Sequence, residues 1–499
     1  MNELNLSKSK YCRGKMCNKM YWMDKYKPEE NKSKVSPSTF ENGQKVGELA
    51  KGLFGKYEDI EFNKDLNIMI DTTNELLKNK PNIITEASFK FDNNFCSVDI
   101  LKNDEDGVEI YEVKSSTEEK DIYLDDISYQ YYILSNLGFN VKKACLVHVN
   151  KKYIKHGEID IKQFFIIEDE TEVVKSMQDD VKTNIEKLNE FMKKYDADTE
   201  PDVDIGMHCE TPYRAKCDYW EYCTRNLPKP NVFDVHTLNA SQKYKLYYEG
   251  KVSFEDLLDE KLSNRYKQQI EFEVNNLEPK IDKAAIKELL QSLKYPLYFI
   301  DFESFMHVIP EYDGTHAYQQ LCFQYSLHIV DHEGAEVEHK EFLADSDDDN
   351  FMRHFAESML NDMQKSGTMI VYNRVFEETR IKELAEMFPD LTDRLLKLLD
   401  NLVDFMVPFR RREYYTKEME GSYSIKYVLP AIYPDDPELN YHNLPLVHYG
   451  TEASETFLAM KNMTSEEREK ARQGLLVYCG LDTYALVKLW EKFKEVVEE

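Results

Sequence analysis

Closely spaced acidic residues are the first chemical feature of this sequence. The stretch YFIDFES, residues 298–304, is apolar up to Ile300 and then carries Asp301 and Glu303 with one residue between them. Because side chains at i and i+2 of a strand point to the same face, we expect the two carboxylates side by side at the end of a strand. Such a pair is either hydrated on an edge strand or neutralised by a divalent cation such as Mg²⁺.

Three later residues have the types and spacing to complete such a site. Glu377 lies on the first turn of a helix predicted after the strand GTMIVY, and Tyr478 and Asp482 share one face of the last predicted helix at i and i+4. Together with Asp301 and Glu303 they give four carboxylates, which is enough for two divalent ions. Two such ions stabilise the attacking and leaving oxygens of phosphodiester cleavage. Tyr478, one turn before Asp482, is placed to orient the attacking water.

These motifs resemble those of the DEDD exonucleases in the DnaQ-like, ribonuclease H-like superfamily. DFE is similar to their first motif, YNRVFE to their second and YCGLD to the tyrosine form of their third, across residues 295–495. Glu377 stands where the second motif usually has Asp. The stretches LVDFMVPFRRREYY and GSYSIKYVLPAIYP resemble a more specific bacterial family, in which such a domain is joined to a RecB-like nuclease. The resemblance implies a 3′–5′ exonuclease domain that uses Mg²⁺ or Mn²⁺.

A second acidic constellation lies in the first half of the chain. FCSVDIL and VEIYEVKSST predict neighbouring strands, with Asp99 ending the first and Glu112 and Lys114 on one face of the second. An Asp, a Glu and a Lys that converge at a hairpin suit metal-assisted hydrolysis. Asp99 and Glu112 would hold Mg²⁺, and Lys114 would position or activate water. The alternative is an ordinary surface ion pair.

This second constellation resembles the PD-(D/E)xK nucleases of the RecB type. ISYQYYIL, which opens a predicted helix, is similar to their glutamine motif and carries Gln130. GQKVGELAKGLF resembles their early helix and offers Glu48 as a further metal ligand. The resemblance implies a restriction-endonuclease-like core with Asp99, Glu112, Lys114 and Gln130 at its centre.

The nine cysteines do not form a secreted disulfide pattern, because their number is odd and we expect no export signal in MNELNLSKSKYC. Cys17 is separated by the whole predicted nuclease core from a group of three, Cys209, Cys217 and Cys223. Four thiolates are the complement of a [4Fe–4S] cluster. Zinc is the alternative, although zinc sites more often use closely spaced cysteine pairs. Cys12 is an alternative to Cys17.

The same layout of one early and three late cysteines resembles the iron–sulfur RecB-type exonucleases, including the CRISPR-associated ones. That resemblance implies a [4Fe–4S] cluster on Cys17, Cys209, Cys217 and Cys223 that fastens the two ends of the nuclease domain together.

The length of 499 residues exceeds one ordinary core and predicts several domains. Differences in composition and predicted secondary structure divide the chain into a RecB-like nuclease over residues 1–228, a helical connector over 229–290 and a DnaQ-like domain over 291–499. The predicted class is α/β and α+β, with two nuclease domains: a restriction-endonuclease-like core, and a ribonuclease H-like mixed sheet flanked by helices.

The net charge of −29 argues against non-specific nucleic-acid binding but says little about a local groove. FRRREYYTK, residues 409–417, interleaves arginines and tyrosines, as single-strand binding sites do. We expect a nucleic-acid partner, with DNA favoured and single-stranded ends as substrate, and RNA as the alternative. No apolar run is long enough to span a membrane, so we expect a cytoplasmic protein.

By resemblance, the role is DNA processing in repair, recombination or defence against foreign DNA. The competing interpretation is a nucleic-acid-binding or scaffold protein in which one nuclease module is inactive; the Glu377 substitution would favour this for the C-terminal module.

Overall fold

The computed structural model describes residues 6–32, 37–211 and 216–498 of the chain. It shows a mixed α/β protein that divides into two compact units. Unit 1 comprises Met1–Leu227 and His307–Tyr318, and unit 2 comprises Pro228–Met306 and Gln319–Glu499. The segment predicted as a helical connector, residues 229–290, therefore falls within unit 2. In the described ranges, no helix combines the length and the apolar character that crossing a bilayer requires.

Unit 1 is built around a seven-stranded sheet in the order β2-β3-β4-β5-β6-β7, with β1 paired to β4. Its strands are β1 (Leu6–Ser7), β2 (Glu58–Asp59), β3 (Ile83–Phe91), β4 (Asn94–Asp104), β5 (Gly107–Lys114), β6 (Val141–Val149) and β7 (Phe165–Asp169). Its helices are α1 (Lys8–Met16), α2 (Asn18–Tyr26), α3 (Pro37–Lys51), α4 (Leu66–Asn79), α5 (Asp121–Asn136), α6 (Ile161–Phe164), α7 (Thr171–Ser176), α8 (Gln178–Lys194) and α9 (Trp220–Cys223).

The predicted strand pair of unit 1 is confirmed as the antiparallel hairpin β4–β5. Gly107 has φ +142° in the turn, and a Cβ there would lie 2.2 Å from the backbone oxygen of Asn140, so the hairpin needs glycine at this point. From β5 the chain crosses over through α5 to the parallel strand β6. The buried residues Ile127, Ile133 and Leu134 fix α5 against the sheet.

Unit 2 contains a mixed five-stranded sheet in the order β11-β10-β9-β12-β13 and a two-stranded sheet of β14 and β8. Its strands are β8 (Lys280–Ile281), β9 (Leu297–Met306), β10 (Gln320–Val330), β11 (Glu338–Leu343), β12 (Thr368–Val371), β13 (Leu402–Asp404) and β14 (Tyr414–Tyr415). Its helices are α10 (Ala240–Tyr248), α11 (Asn264–Asn275), α12 (Lys283–Ser292), α13 (Phe351–Asp362), α14 (Arg374–Met387), α15 (Thr392–Leu398), α16 (Val407–Arg410), α17 (Ile425–Ile432), α18 (Gly450–Ala459) and α19 (Ser465–Glu498).

β9 is the central strand of this sheet, which explains why its first half is apolar. It pairs antiparallel with β10 over most of its length and parallel with β12 over residues 297–299. Phe299 and Ile300 are fully buried, and the long helix α19 packs across β9 and β10. The alternative of two hydrated acids on an edge strand does not fit, because β9 is the central strand and Glu303 is 7% exposed. Both acids also lie inside the strand, which continues to Met306, rather than at its end.

Candidate metal centres

The acids of unit 2 converge on one point in its core. β9 supplies Asp301 and Glu303, and α19 supplies Asp482; one carboxylate oxygen from each lies within 4.8 Å of the other two. The first turn of α14 supplies Glu377, whose charge acts on both Asp301 and Glu303. All four predicted carboxylates are thus brought together from three separate elements.

Glu377 is held by an unusual helix start. Asn373 caps α14 with φ +76°, in the left-handed region, and its N–H donates to Oδ1 of Asp404 at 3.0 Å. Glu377 is 1% exposed, and its Oε2 atom has no hydrogen-bond partner. A buried carboxylate oxygen without a donor is costly unless a cation or a proton satisfies it.

Burial raises the pKa of every acid in this cluster, and repulsion between the acids adds to the shifts of Asp301 and Glu303. Burial raises the pKa of Glu377 to about 8, with Asp404 adding to the shift. Burial, then the charges of Asp482, Glu377 and Glu303, raise the pKa of Asp301 well above its usual range. A divalent ion would offset the unfavourable energy of these buried charges, because its positive charge favours the ionised carboxylates.

Three groups favour the charged form of Asp482. Burial raises its pKa to about 6, while the hydroxyls of Tyr441 and Tyr478 and the charge of Lys426 act in the opposite direction. Tyr441 donates to Oδ1 of Asp482 at 2.6 Å. Tyr478, the predicted water-orienting residue, is 5% exposed, and its hydroxyl lies near enough to Asp482 to lower the pKa of that carboxyl.

The sequence analysis missed Tyr441, Lys426 and Asp404. Lys426, on the first turn of α17, lowers the pKa of both Glu303 and Asp482, against the larger effect of burial on each. Asp404 ends β13 and receives N–H bonds from Asn373 and from Met406 at 2.9 Å. None of the three belongs to a recognisable spacing, since each reaches the acids only through the packing of a separate element.

Unit 1 brings its predicted residues together at the β4–β5 hairpin. Oδ2 of Asp99 accepts from the N–H of Val113 at 2.7 Å, and Nζ of Lys114 donates to Oε1 of Glu112 at 2.8 Å. From α5, Nε2 of Gln130 donates to Oε2 of Glu112 at 2.5 Å. Burial, then the Glu112 charge, raise the pKa of Asp99 to about 7.

An unpredicted lysine binds the central carboxylate of this site. Nζ of Lys8, on the first turn of α1, lies 2.7 Å and 2.9 Å from the two oxygens of Glu112. Burial alone would raise the pKa of Glu112, but Lys114 and Lys8 hold it low, at about 2. In the metal-free protein two ammonium groups therefore take the place of a cation on this 2% exposed residue.

Two further acids border the same site. Asp126 accepts from Lys114 and, at 3.1 Å, from Sγ of Cys12. Glu86 has φ +58° and interrupts the paired residues of β3, although the register with β4 is the same on both sides of it. Burial raises the pKa of Glu86, while Lys51 and Lys8 lower it, which places its carboxylate within reach of the Lys8 charge.

Glu48 lies on α3 with its side chain 68% exposed and pairs with Lys51 at 2.9 Å. Among the described residues, the groups of three ligating side chains within 4.8 Å are Asp301–Glu303–Asp482 and the partly exposed acids Glu119–Glu168–Glu170. Neither group contains Glu48. Its assignment as a metal ligand stays a prediction without a described contact to Asp99 or Glu112.

The four selected cysteines lie in one neighbourhood of unit 1. Cys17, Cys217 and Cys223 pack against one apolar cluster that includes Trp22. Cys209 is tied to Cys217 by a backbone bond of 2.9 Å, from the N–H of Cys217 to the carbonyl of Cys209.

The electrostatics of the thiols confirm that neighbourhood. After burial, the main cause, the pKa of Cys217 is raised by the charges of Cys209, Cys17 and Cys223. Cys12, the alternative first ligand, instead donates to the carboxylate of Asp126.

The spacing of these thiols bears on the choice of metal. A tetrahedral zinc ion with Zn–S bonds of about 2.3 Å holds its sulfurs about 3.8 Å apart. No three of the cysteines in the described ranges have their sulfurs within 4.8 Å of one another. Nearby positive charges, Lys19 at Cys17 and Lys216 at Cys209, favour the thiolate forms.

Comparisons with known proteins find a family model and a relative that each match part of the chain. Residues 298–424 match the model of a family described as a domain of unknown function (DUF2779), a segment that contains Asp301, Glu303 and Glu377. A stretch of 267 residues is 26% identical to the uncharacterized protein UU173 of Ureaplasma parvum serovar 3 (strain ATCC 700970), covering 49% of this chain. The match spans 38% of that relative's length. No solved structure matches the chain.

Proposed function

We propose that this protein is a metal-dependent nuclease that hydrolyses phosphodiester bonds in nucleic acid, with DNA as the favoured substrate. The observation that carries the proposal is the buried quartet Asp301, Glu303, Glu377 and Asp482, whose pKa values are all raised in the absence of a cation. Buried like charges persist in a protein core when a cation offsets them, and this quartet has the composition of a two-metal site. Unit 2 would then be the DnaQ-like 3′–5′ exonuclease that its sequence motifs resemble.

The four acids and the residues around them would have distinct roles. Asp301, Glu303, Glu377 and Asp482 would hold Mg²⁺ or Mn²⁺, which supplies electrostatic stabilisation of the developing charge on phosphate. Tyr478 would direct its hydroxyl to the attacking water. Tyr441 keeps Asp482 oriented through its 2.6 Å bond. Lys426 would contribute positive charge near Glu303 and Asp482 without being a metal ligand.

Unit 1 would be a second nuclease of the RecB-like PD-(D/E)xK type. Asp99 and Glu112 would bind Mg²⁺ or Mn²⁺, and two carboxylates together with substrate phosphate are a sufficient ligand set for Mg²⁺. Lys114, already 2.8 Å from Glu112, would position the water. Gln130 orients Glu112 from the opposite side. Binding a metal ion requires Lys8 to release the Glu112 oxygens that it now occupies.

Cys17, Cys209, Cys217 and Cys223 would hold a [4Fe–4S] cluster. The four thiols have the composition for it and lie together, and neighbouring lysines offset thiolate charge. The cluster would act structurally, by fastening α2 to the segment that contains α9. Burial raises the thiol pKa values in the metal-free protein, and ligation would reverse that effect.

A second function is favoured by one specific observation. Both oxygens of Glu112 accept hydrogen bonds from Lys8, and Lys114 and Gln130 complete its contacts. A carboxylate so fully satisfied needs no metal for stability. Unit 1 would then be a nucleic-acid-binding module without hydrolytic activity, and unit 2 the only enzyme.

The test uses the full-length protein, purified anaerobically and assayed with Mn²⁺ on end-labelled single- and double-stranded DNA and RNA. Asp301→Asn removes one negative charge at constant shape, so trimming from the 3′ end should fall by orders of magnitude. Asp331→Asn is the matched control, because Asp331 is an exposed acid beyond the end of β10 that pairs with Lys365. Its trimming rate should equal that of the parent.

The double variant Asp301→Asn, Lys114→Ala separates the two units. Residual cleavage by Asp301→Asn that disappears in the double variant assigns activity to unit 1. No residual cleavage in Asp301→Asn supports the binding-module interpretation of unit 1. Unchanged 3′ trimming in Asp301→Asn would refute the function proposed for unit 2. Cleavage of RNA alone would reassign the substrate.

A further inference from the structure

Two arginines in unit 2, the buried Arg412 and the half-buried Arg265, have no anionic partner among the described residues. Arg265 lies on α11, and Arg412 lies between α16 and β14, where it is 5% exposed. The Nε and Nη2 atoms of Arg265 and the Nε and Nη1 atoms of Arg412 are buried without a hydrogen-bond acceptor. Within the described residues, neither guanidinium forms an ion pair with a carboxylate. These four nitrogen atoms without acceptors thus belong to two permanently charged guanidinium groups.

The two guanidinium groups share one site with a histidine. After burial, which is the main cause, the charges of Arg265 and Arg412 lower the pKa of His236 to about 4. The Arg265 charge also lowers the pKa of Arg412, again after burial. Tyr423 joins the group, since its ring centre lies 5.3 Å from the Arg265 guanidinium and 5.5 Å from the His236 ring. Nδ1 of His236 is likewise buried without a partner.

The surrounding backbone holds this group in place. Arg412 adopts φ +60° in the left-handed region, and its Nη2 donates to the carbonyl of Gly421 at 2.5 Å. The 4% exposed Gln269 accepts from the N–H of His236 and donates to the carbonyls of Asp234 and Glu420. A strained residue fixed by buried hydrogen bonds is typical of a built site rather than of loose packing.

The charge of this site favours an anion. Ordered water can satisfy a buried N–H, but it does not neutralise two adjacent positive charges of which one, on Arg412, is removed from solvent. The faces of Tyr415 and Tyr423 provide only weak compensation. His236 is neutral in the empty site and adds a hydrogen-bonding nitrogen without a third charge. The planar forks of arginine match the geometry of a phosphate group.

We propose that Arg265, Arg412 and His236 bind a phosphate group. The site is separate from the carboxylate quartet but connected to it along the chain. The carbonyl of Tyr423 accepts from the hydroxyl of Tyr372 at 2.6 Å, and Lys426, three residues after Tyr423, acts on Glu303 and Asp482. The phosphate is either a small free phosphate compound or a phosphate of a bound nucleic-acid strand. Its binding needs no hydrolysis, so it does not depend on the proposed nuclease activity.

Phosphate binding is measured on the full-length protein in EDTA, which keeps divalent ions from bridging phosphate to the acids. Equilibrium dialysis with radiolabelled inorganic phosphate is compared for the parent, Arg265→Gln and Arg412→Gln. Loss of charged hydrogen bonds should weaken binding by about tenfold or more in each. Arg410→Gln is the matched control, because Arg410 is exposed in the same run of three arginines and should bind phosphate as the parent does.

A second arm identifies the source of the phosphate. Anisotropy of a labelled single-stranded oligonucleotide is measured with the same variants, again in EDTA. If the ligand is a strand phosphate, Arg265→Gln and Arg412→Gln weaken oligonucleotide binding and Arg410→Gln does not, whether or not free phosphate binds. If it is a free phosphate compound, the variants lose phosphate binding and keep the parent's affinity for the oligonucleotide.

Two results would overturn the site. One is phosphate binding by the parent that both variants retain, because the ion then lies elsewhere. The other is a parent that binds no phosphate, with oligonucleotide affinity unchanged in both variants. Circular dichroism shows whether each variant is folded, and Arg265→Gln serves if Arg412→Gln does not fold. Nuclease assays play no part, so failure of the proposed function leaves this test intact.

Discussion

Glu377→Gln gives a quantitative test of the buried quartet. The substitution keeps the length of the side chain and removes its charge. In the metal-free protein burial raises the pKa of Glu377 to about 8, whereas an unfolded glutamate ionises near its ordinary value of 4.5. Between those two values the native state keeps a proton that the unfolded state releases. The stability that this retained proton contributes is therefore fully present below pH 4.5 and is lost as the pH rises towards 8.

The size of the effect follows from proton linkage. One proton that is retained only by the native state lowers the free energy of unfolding by about 1.4 kcal/mol per pH unit. From pH 4.5 to pH 7 the loss attributable to Glu377 is then about 3 kcal/mol, to order of magnitude. Glu377→Gln removes this contribution, so its stability should fall less steeply with pH than that of the parent. At pH 7 without metal the variant should be the more stable protein.

Unfolding of unit 2 must be read separately, because two units need not unfold together. The chain has three tryptophans, and only Trp490 lies in unit 2, where its ring centre is 5.9 Å from that of Phe299 in β9. Urea titrations of 5-fluorotryptophan-labelled protein in EDTA, followed by ¹⁹F NMR at pH 5, 6, 7 and 8, therefore give the free energy of unfolding of unit 2 from one resonance. Trp490→Phe assigns that resonance.

Glu386→Gln is the matched control, because Glu386 is exposed on the same helix, α14. Its pH dependence should follow that of the parent. Mn²⁺ should stabilise the parent, since it binds the native state only, and should stabilise Glu377→Gln less. Parallel pH profiles for the parent and Glu377→Gln, with equal stabilisation by Mn²⁺, would refute the reasoning that Glu377 is a buried ligand.

Three further outcomes are expected. Cys209→Ser should lower the iron content of anaerobically purified protein and destabilise unit 1, and stoichiometric zinc without iron in the parent would contradict the cluster. Lys114→Ala should abolish cleavage by unit 1 while circular dichroism stays native, because Lys8 still neutralises Glu112; parental cleavage would mean that unit 1 is inert or that Lys114 has another role. Lys8→Met should lower the Mn²⁺ concentration that half-saturates the thermal stabilisation of unit 1, because ammonium and metal compete for Glu112, and an unchanged value would exclude that competition.

Local patterns in the sequence were enough to predict the chemical groups of both sites. The two-residue period of a strand placed Asp301 beside Glu303, and the helical period placed Tyr478 beside Asp482. The hairpin β4–β5 also follows from a short-range signal, namely two apolar runs separated by turn residues. These features depend on neighbouring residues alone, so they can be inferred before the fold is known.

Tertiary structure decided which groups compensate those charges. Lys8 contacts Glu112 across 104 residues, and Tyr441 reaches Asp482 across 41, so no spacing links either pair. The left-handed backbone at Glu86 and the loop that buries Arg412 near Arg265 likewise depend on how separate elements pack. The carboxylates could be predicted from the sequence because strands and helices have fixed periods. Their partners could not, because a buried charge is satisfied by whichever side chain the completed fold brings within hydrogen-bonding distance.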